Sequence, residues 1–147
     1  MKFARVVFLI AGLWGLAILT PLYFTFDLVG RSYPPAITHP DFYYGFVSVA
    51  WVWQIAFLTI GGNPVRHRPF MLVAILEKLI YVTAMVSLYM NGYLHVSQVV
   101  VAVPDFTLAL LFVAAFVMTP EADSISFSYP RAVSRTPAYA RWGSWPA

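Results

Sequence analysis

The chain has no cysteine among its 147 residues. That excludes disulfides, thiolate-held iron–sulfur clusters, cysteine-ligated zinc and cysteine nucleophiles. Charge is scarce too. Asp, Glu, Lys and Arg make up 10% of the residues, where a soluble domain carries about 25%. A soluble protein of this length has too much surface for so few charges to cover. There is no phosphate-cradling glycine loop, no HExxH and no Ser–His–Asp arrangement. The histidines, His39, His67 and His95, all fall in or beside connections. Haem or chlorin ligation in a bundle would need a histidine well inside a span. The one metal arrangement open to this sequence is a surface site in which His39 and His95 join Asp41.

What the chain has instead is apolar and aromatic surface, at 61% and 18% of its residues. Four apolar stretches stand out, at 6–26, 42–60, 70–90 and 96–118. Each is about 20 residues, and at about 1.5 Å per residue that spans a hydrocarbon core of about 30 Å. Backbone groups in hydrocarbon must be paired within the segment, so the stretches are predicted as helices of an all-α, four-helix transmembrane bundle over 1–119. Lys2 and Arg5 ahead of an apolar run also suit a secretory signal. This run continues through Pro21 to Phe26 without a small-x-small cleavage site, so it reads as a retained first helix.

The boundaries carry their own chemistry. Thr38-His39-Pro40-Asp41 predicts a helix start, with Thr38 as the cap, Pro40 in the first turn and Asp41 at the positive dipole end. Gly61-Gly62 and Asn91-Gly92 close the second and third helices, and Ser97 is a candidate cap for the fourth. The short connections predict that the second, third and fourth helices are antiparallel neighbours. Gly12 and Gly15 are three apart, a weak sign of close packing.

Net charge is +3, but nearly all of the nine Lys and Arg lie at predicted helix ends and in the tail, which argues for topology over nucleic acid. Lys2 and Arg5, then Arg66 and Arg68, then Arg131, Arg135 and Arg141 mark one side of the bilayer; the other two connections are poor in basic residues. Both termini are therefore expected in the cytoplasm. Residues 120–147 lose the helical period and form a Pro/Ser/Arg/aromatic tail. It reads either as a flexible extension or as a docking strap. In the second case Tyr129, Tyr139, Trp142 and Trp145 insert at a partner or headgroup layer, and Arg131, Arg135 and Arg141 meet acidic surface.

Ionisable groups at membrane depth are costly and mark either function or a specific partner. Glu77, Lys78 and Asp105 qualify. By helical rise, Glu77 and Gln54 lie about 10 and 9 Å from the cytoplasmic side, which predicts that the Gln54 amide donates to the Glu77 carboxylate. Lys78 points about 100° away from Glu77, so it is expected to snorkel toward the interface without facing that carboxylate. Asp105 is placed near mid-membrane, about 20 Å deep, with Tyr81, Thr83 and Ser48 at similar depth and the Val100 carbonyl freed by Pro104. That puts Asp105 and Glu77 about 8–10 Å apart in depth, too far to share a proton directly. Two readings of the polar set stay open: hydrogen-bonding glue between helices, worth about 0.6–2 kcal/mol per bond, or a ligand or proton site.

Residues 39–46 (His-Pro-Asp-Phe-Tyr-Tyr-Gly-Phe), Trp53-Gln54, residues 63–69 (Asn-Pro-Val-Arg-His-Arg-Pro) and Leu76-Glu77-Lys78 carry a resemblance. Over roughly 39–118 the chain resembles a group of small bacterial inner-membrane proteins whose four-helix layout is similar to that of the DoxX-like proteins. The resemblance implies a four-helix bundle and association with larger membrane redox assemblies. It transfers no catalytic residue.

Two functions follow as expectations. The first is an accessory or structural subunit of a larger bacterial membrane complex, motivated by the lack of catalytic constellations, the small bundle and the tail. The second is a protein that binds or moves a lipid, quinone or proton through a pocket around Glu77, Gln54, Tyr81 and Asp105. The expected partners are the bilayer, other membrane subunits or a second copy of the chain, and not nucleic acid.

Overall fold

A computed structural model describes residues 2–32 and 37–121. Six α-helices follow in order: α1 (Lys2–Leu22), α2 (Phe26–Ser32), α3 (Pro40–Gly62), α4 (Arg68–Met90), α5 (Val96–Val99) and α6 (Val103–Met118). A 3-10 turn, Val100–Ala102, joins α5 to α6, so that Val96–Met118 makes one continuous rod. There is no strand among the described residues. Four helical rods, α1, α3, α4 and Val96–Met118, are long and apolar enough to cross a membrane. The chain is an all-α four-helix bundle of the multi-pass membrane class.

The helix ends differ from the sequence expectation in ways that have local causes. The first helix begins at Lys2 and stops at Leu22. Pro21 has no N–H for the carbonyl four residues back, and the chain leaves through tight turns from Tyr23 to Thr20 and from Phe24 to Pro21. The predicted span therefore ran into a separate helix, α2. His39, not Thr38, sits at the start of α3, and no side chain caps it. At α5 the cap is not Ser97, which lies inside the helix; the His95 N–H donates to Gln98 Oε1 at 2.8 Å. Gly92 closes α4 as expected, with a φ of +76° that glycine adopts at no steric cost.

Packing is uneven around the bundle. α1 lies along α3 and also touches α6, and α4 lies along α6. α3 and α4, though joined by a short turn, barely meet, so that predicted neighbourhood is corrected. The reason is glycine on the other side of α3. A Cβ on Gly12 would stand 2.9 Å from the Gln54 carbonyl oxygen and 2.7 Å from Leu58 Cγ, and one on Gly61 would stand 2.9 Å from Leu9 Cγ. These bare backbones let α1 and α3 approach closely, drawing α3 onto α1 and away from α4.

The core fills only one half of the bundle, the half that carries both described chain ends. Phe8, Phe57 and Phe112 are fully enclosed, with Phe8 stacked on Phe112 at 4.2 Å and Phe57 edge-on to Phe112 at 5.1 Å. Ala4, Ala11, Met71, Ala74 and Ala115 close around them. At this end Arg68 is not simply a topology charge. Its Nε donates to the Thr119 carbonyl at 2.8 Å, its Nη1 pairs with Glu121 at 3.0 Å, and its guanidinium lies 4.1 Å from the Phe116 ring centre. The opposite end is tied by aromatics: Tyr43 donates to the Leu22 carbonyl, Tyr23 to Ser48 and Trp51 to Thr20.

Candidate functional site

Above the phenylalanine core the four rods diverge around a cavity of about 290 Å³. Each rod presents one helical face to it. α1 gives Ala11, Trp14, Gly15 and Ile18; α3 gives Phe46, Ala50 and Gln54; α4 gives Glu77, Lys78 and Tyr81; the fourth rod gives Val101, Pro104, Asp105 and Leu108. The spacings of three, four and seven within these sets are those of one side of a helix. The walls are apolar, and the polar groups gather at the α4–α6 side near mid-bundle, roughly 12–20 Å from the end with the chain termini by helical rise.

Lys78 organises this polar side. It is 6% exposed, and its ammonium lies 2.5 Å from Asp105 Oδ1, 3.4 Å from Glu77 Oε2 and 5.2 Å above the Phe57 ring centre. The expected snorkelling is therefore corrected. A carboxylate across the helix interface and an aromatic face below surround the ammonium inside the bundle. Glu77 and Asp105 are joined through the Lys78 ammonium, which the sequence reading did not place between them. α4 begins two residues earlier than expected, at Arg68, which sinks Glu77 by about 3 Å, and the lysine side chain spans the remaining gap.

Gln54 does not bind Glu77. Its Nε2 donates to the Ala50 carbonyl at 2.8 Å, one turn back on its own helix, and its carboxamide rests where a Cβ on Gly15 would be. Tyr81 does reach the cavity, stacked with Phe46 at a ring distance of 6.4 Å. Ser48 and Thr83 do not: Ser48 accepts from Tyr23 at 2.9 Å, and Thr83 is exposed on another face of α4. Each lies two residues from a cavity-lining neighbour, Phe46 or Ala50 for one and Tyr81 for the other, which turns it about 200° around its helix. The Val100 carbonyl is not freed into the pocket either, because the Val103 N–H takes it in the 3-10 turn. Thus Gln54, Glu77, Tyr81 and Asp105 come together, joined by Lys78.

Among the described residues no group of three or more His, Asp or Glu gathers to hold a metal, and His39 and His95 form no such group with Asp41. Arg131, Arg135, Arg141, Trp142 and Trp145, with Tyr129 and Tyr139, lie outside the described residues.

Sequence reasoning missed the apolar wall, above all Trp14, Phe46 and Leu108. A signal was available for two of them: Leu108 is three residues from Asp105 and Phe46 eight from Gln54, spacings of one helix face, while Trp14 has no polar lining residue on its own helix. Chemically the site offers one cation between two carboxylates, an amide, a phenol and large apolar walls, a set suited to binding an amphipathic molecule. Comparison of the chain with family models, with curated proteins and with solved structures finds no match.

Proposed function

We propose that this protein is a bacterial inner-membrane protein, with both termini in the cytoplasm, that binds a lipid-soluble small molecule in the cavity between its four spans. The observation that carries this reading is the Glu77–Lys78–Asp105 cluster on the wall of a cavity. Interhelical glue needs a close-packed pair. It needs neither a second carboxylate beside the first nor some 290 Å³ of space alongside. That volume is at the small end of ligand pockets, which run roughly 300–1,000 Å³. The size and apolar walls favour a compact amphiphile over a two-chain phospholipid.

Native mass spectrometry of the protein released from mild detergent tests this. Wild type is expected to carry a small-molecule adduct, and Ala50→Trp, which fills the cavity from α3, is expected to lose it. An identical set of adducts in both would overturn the proposal.

One observation favours the accessory-subunit reading. The groove between α3 and α4 is lined by an apolar strip of Val49, Trp53, Val73, Leu76 and Ile80. A helix of a neighbouring subunit would fit there, and the resemblance to DoxX-like layouts agrees with membership of a larger assembly. Stoichiometric partners in gentle extraction would support this reading; a single monodisperse species would count against it.

A further inference from the structure

We infer that the molecule bound in the cavity is a lipid-soluble amine, an apolar body with a cationic nitrogen, that reaches Glu77 from the bilayer between α3 and α4. This inference rests on the binding role proposed above.

The first argument is charge. Lys78 contacts Asp105 at 2.5 Å and Glu77 at 3.4 Å, so one ammonium serves two carboxylates. With all three groups ionised the cluster is one positive charge short. An uncompensated charge at membrane depth is strongly disfavoured, and an incoming cation removes the imbalance. The second argument is hydrogen bonding. Lys78 Nζ donates to Glu77 Oε1 at 3.4 Å, while Oε2, at the same distance from that ammonium, is enclosed and accepts no hydrogen bond. A protonated amine supplies both the charge and the donor, and a charge-assisted bond of this type is among the stronger hydrogen bonds.

The third argument is the route. Phe46, Ala50, Glu77 and Tyr81 line both the central cavity and the groove between α3 and α4. Glu77 therefore stands where the two spaces meet, behind the stacked rings of Phe46 and Tyr81. Outward from there the groove is apolar, with Val49, Val73, Leu76 and Ile80 along it. An amine at Glu77 lays its hydrocarbon along this strip without crossing the packed half of the bundle. A carboxylate- or phosphate-headed amphiphile would bring a third negative charge to the cluster. A neutral head would bring no positive charge to Glu77.

Full-length protein in phosphatidylcholine nanodiscs is equilibrated with radiolabelled decylamine, decanol or decanoate, and binding to empty nanodiscs is subtracted. The expected result is saturable decylamine binding that is abolished by Ala50→Trp and weakened at least tenfold by Glu77→Gln. Glu77→Asp, which keeps the charge, is expected to retain the preference for decylamine over decanol. Saturable binding of decanol or decanoate in preference to decylamine, lost in Ala50→Trp, would overturn the amine assignment and leave the binding role standing. Equal decylamine binding by wild type and Glu77→Gln would overturn the assignment too. The absence of saturable, Ala50→Trp-sensitive binding for all three probes would overturn both.

Discussion

Lys78 is the residue on which the interior depends, because among the described residues it is the cation that pairs with both carboxylates of the cluster. Removing one member of a buried pair strands the other, at a cost of up to about 3–5 kcal/mol; replacing both with apolar groups is far milder. Lys78→Met is therefore expected to lower the thermal midpoint in detergent sharply. Adding Asp105→Leu should recover much of that loss, though Glu77 remains without its cation. If Lys78→Met melts like wild type, the pair contributes nothing to the fold. Glu77, Lys78 and Asp105 could all be singled out in the sequence, because ionisable residues are rare in apolar runs. Their mutual contact could not. Depth along a helix can be counted from sequence. The reach of a lysine side chain, and the aromatic ring of Phe57 waiting beneath it, depend on how the helices are arranged.

Among the helices, the α1–α3 contact decides where the cavity opens. The Gly12 Cβ position abuts a backbone carbonyl, which cannot move without separating the helices; the Gly15 position abuts the end of the Gln54 side chain, which can swing away. Gly12→Ala should therefore destabilise by about 1–3 kcal/mol, the usual cost of overpacking, and Gly15→Ala by less. Thermal melts of the two variants side by side check this order, and the reverse order would contradict the packing described for α1 and α3. The number and approximate extent of the spans were legible because hydrophobic length is set by membrane thickness. Their arrangement was less so. A short α3–α4 connection suggested that these helices would pack together, but the glycine faces hold α3 to α1 and leave a groove. Ser48 and Thr83 match Asp105 in depth but point elsewhere around their helix axes, so they lie outside the cavity.

Taken whole, the bundle is closed at one end and open in the middle. The Phe8–Phe57–Phe112 core seals the half that carries the chain ends, and the charged cavity begins where that core stops. Much of the outer surface is apolar, including Ile10, Leu13, Val52 and Leu110, as expected where the surroundings are lipid. The division into a sealed half and a hollow half is what separates a binding protein from a simple membrane anchor, and the absence of native cysteine makes it directly measurable. Single cysteines at Ala50, on the cavity wall, at Val52, facing outward, and at Ala74, inside the sealed core, report three environments in one background. A thiol reacts as its thiolate, which forms in polar surroundings and is suppressed in apolar ones. With 2-aminoethyl methanethiosulfonate, a small cationic reagent, Ala50→Cys is predicted to react much faster than Val52→Cys or Ala74→Cys. Equal inertness at all three positions would contradict an accessible cavity with a charged side inside this bundle.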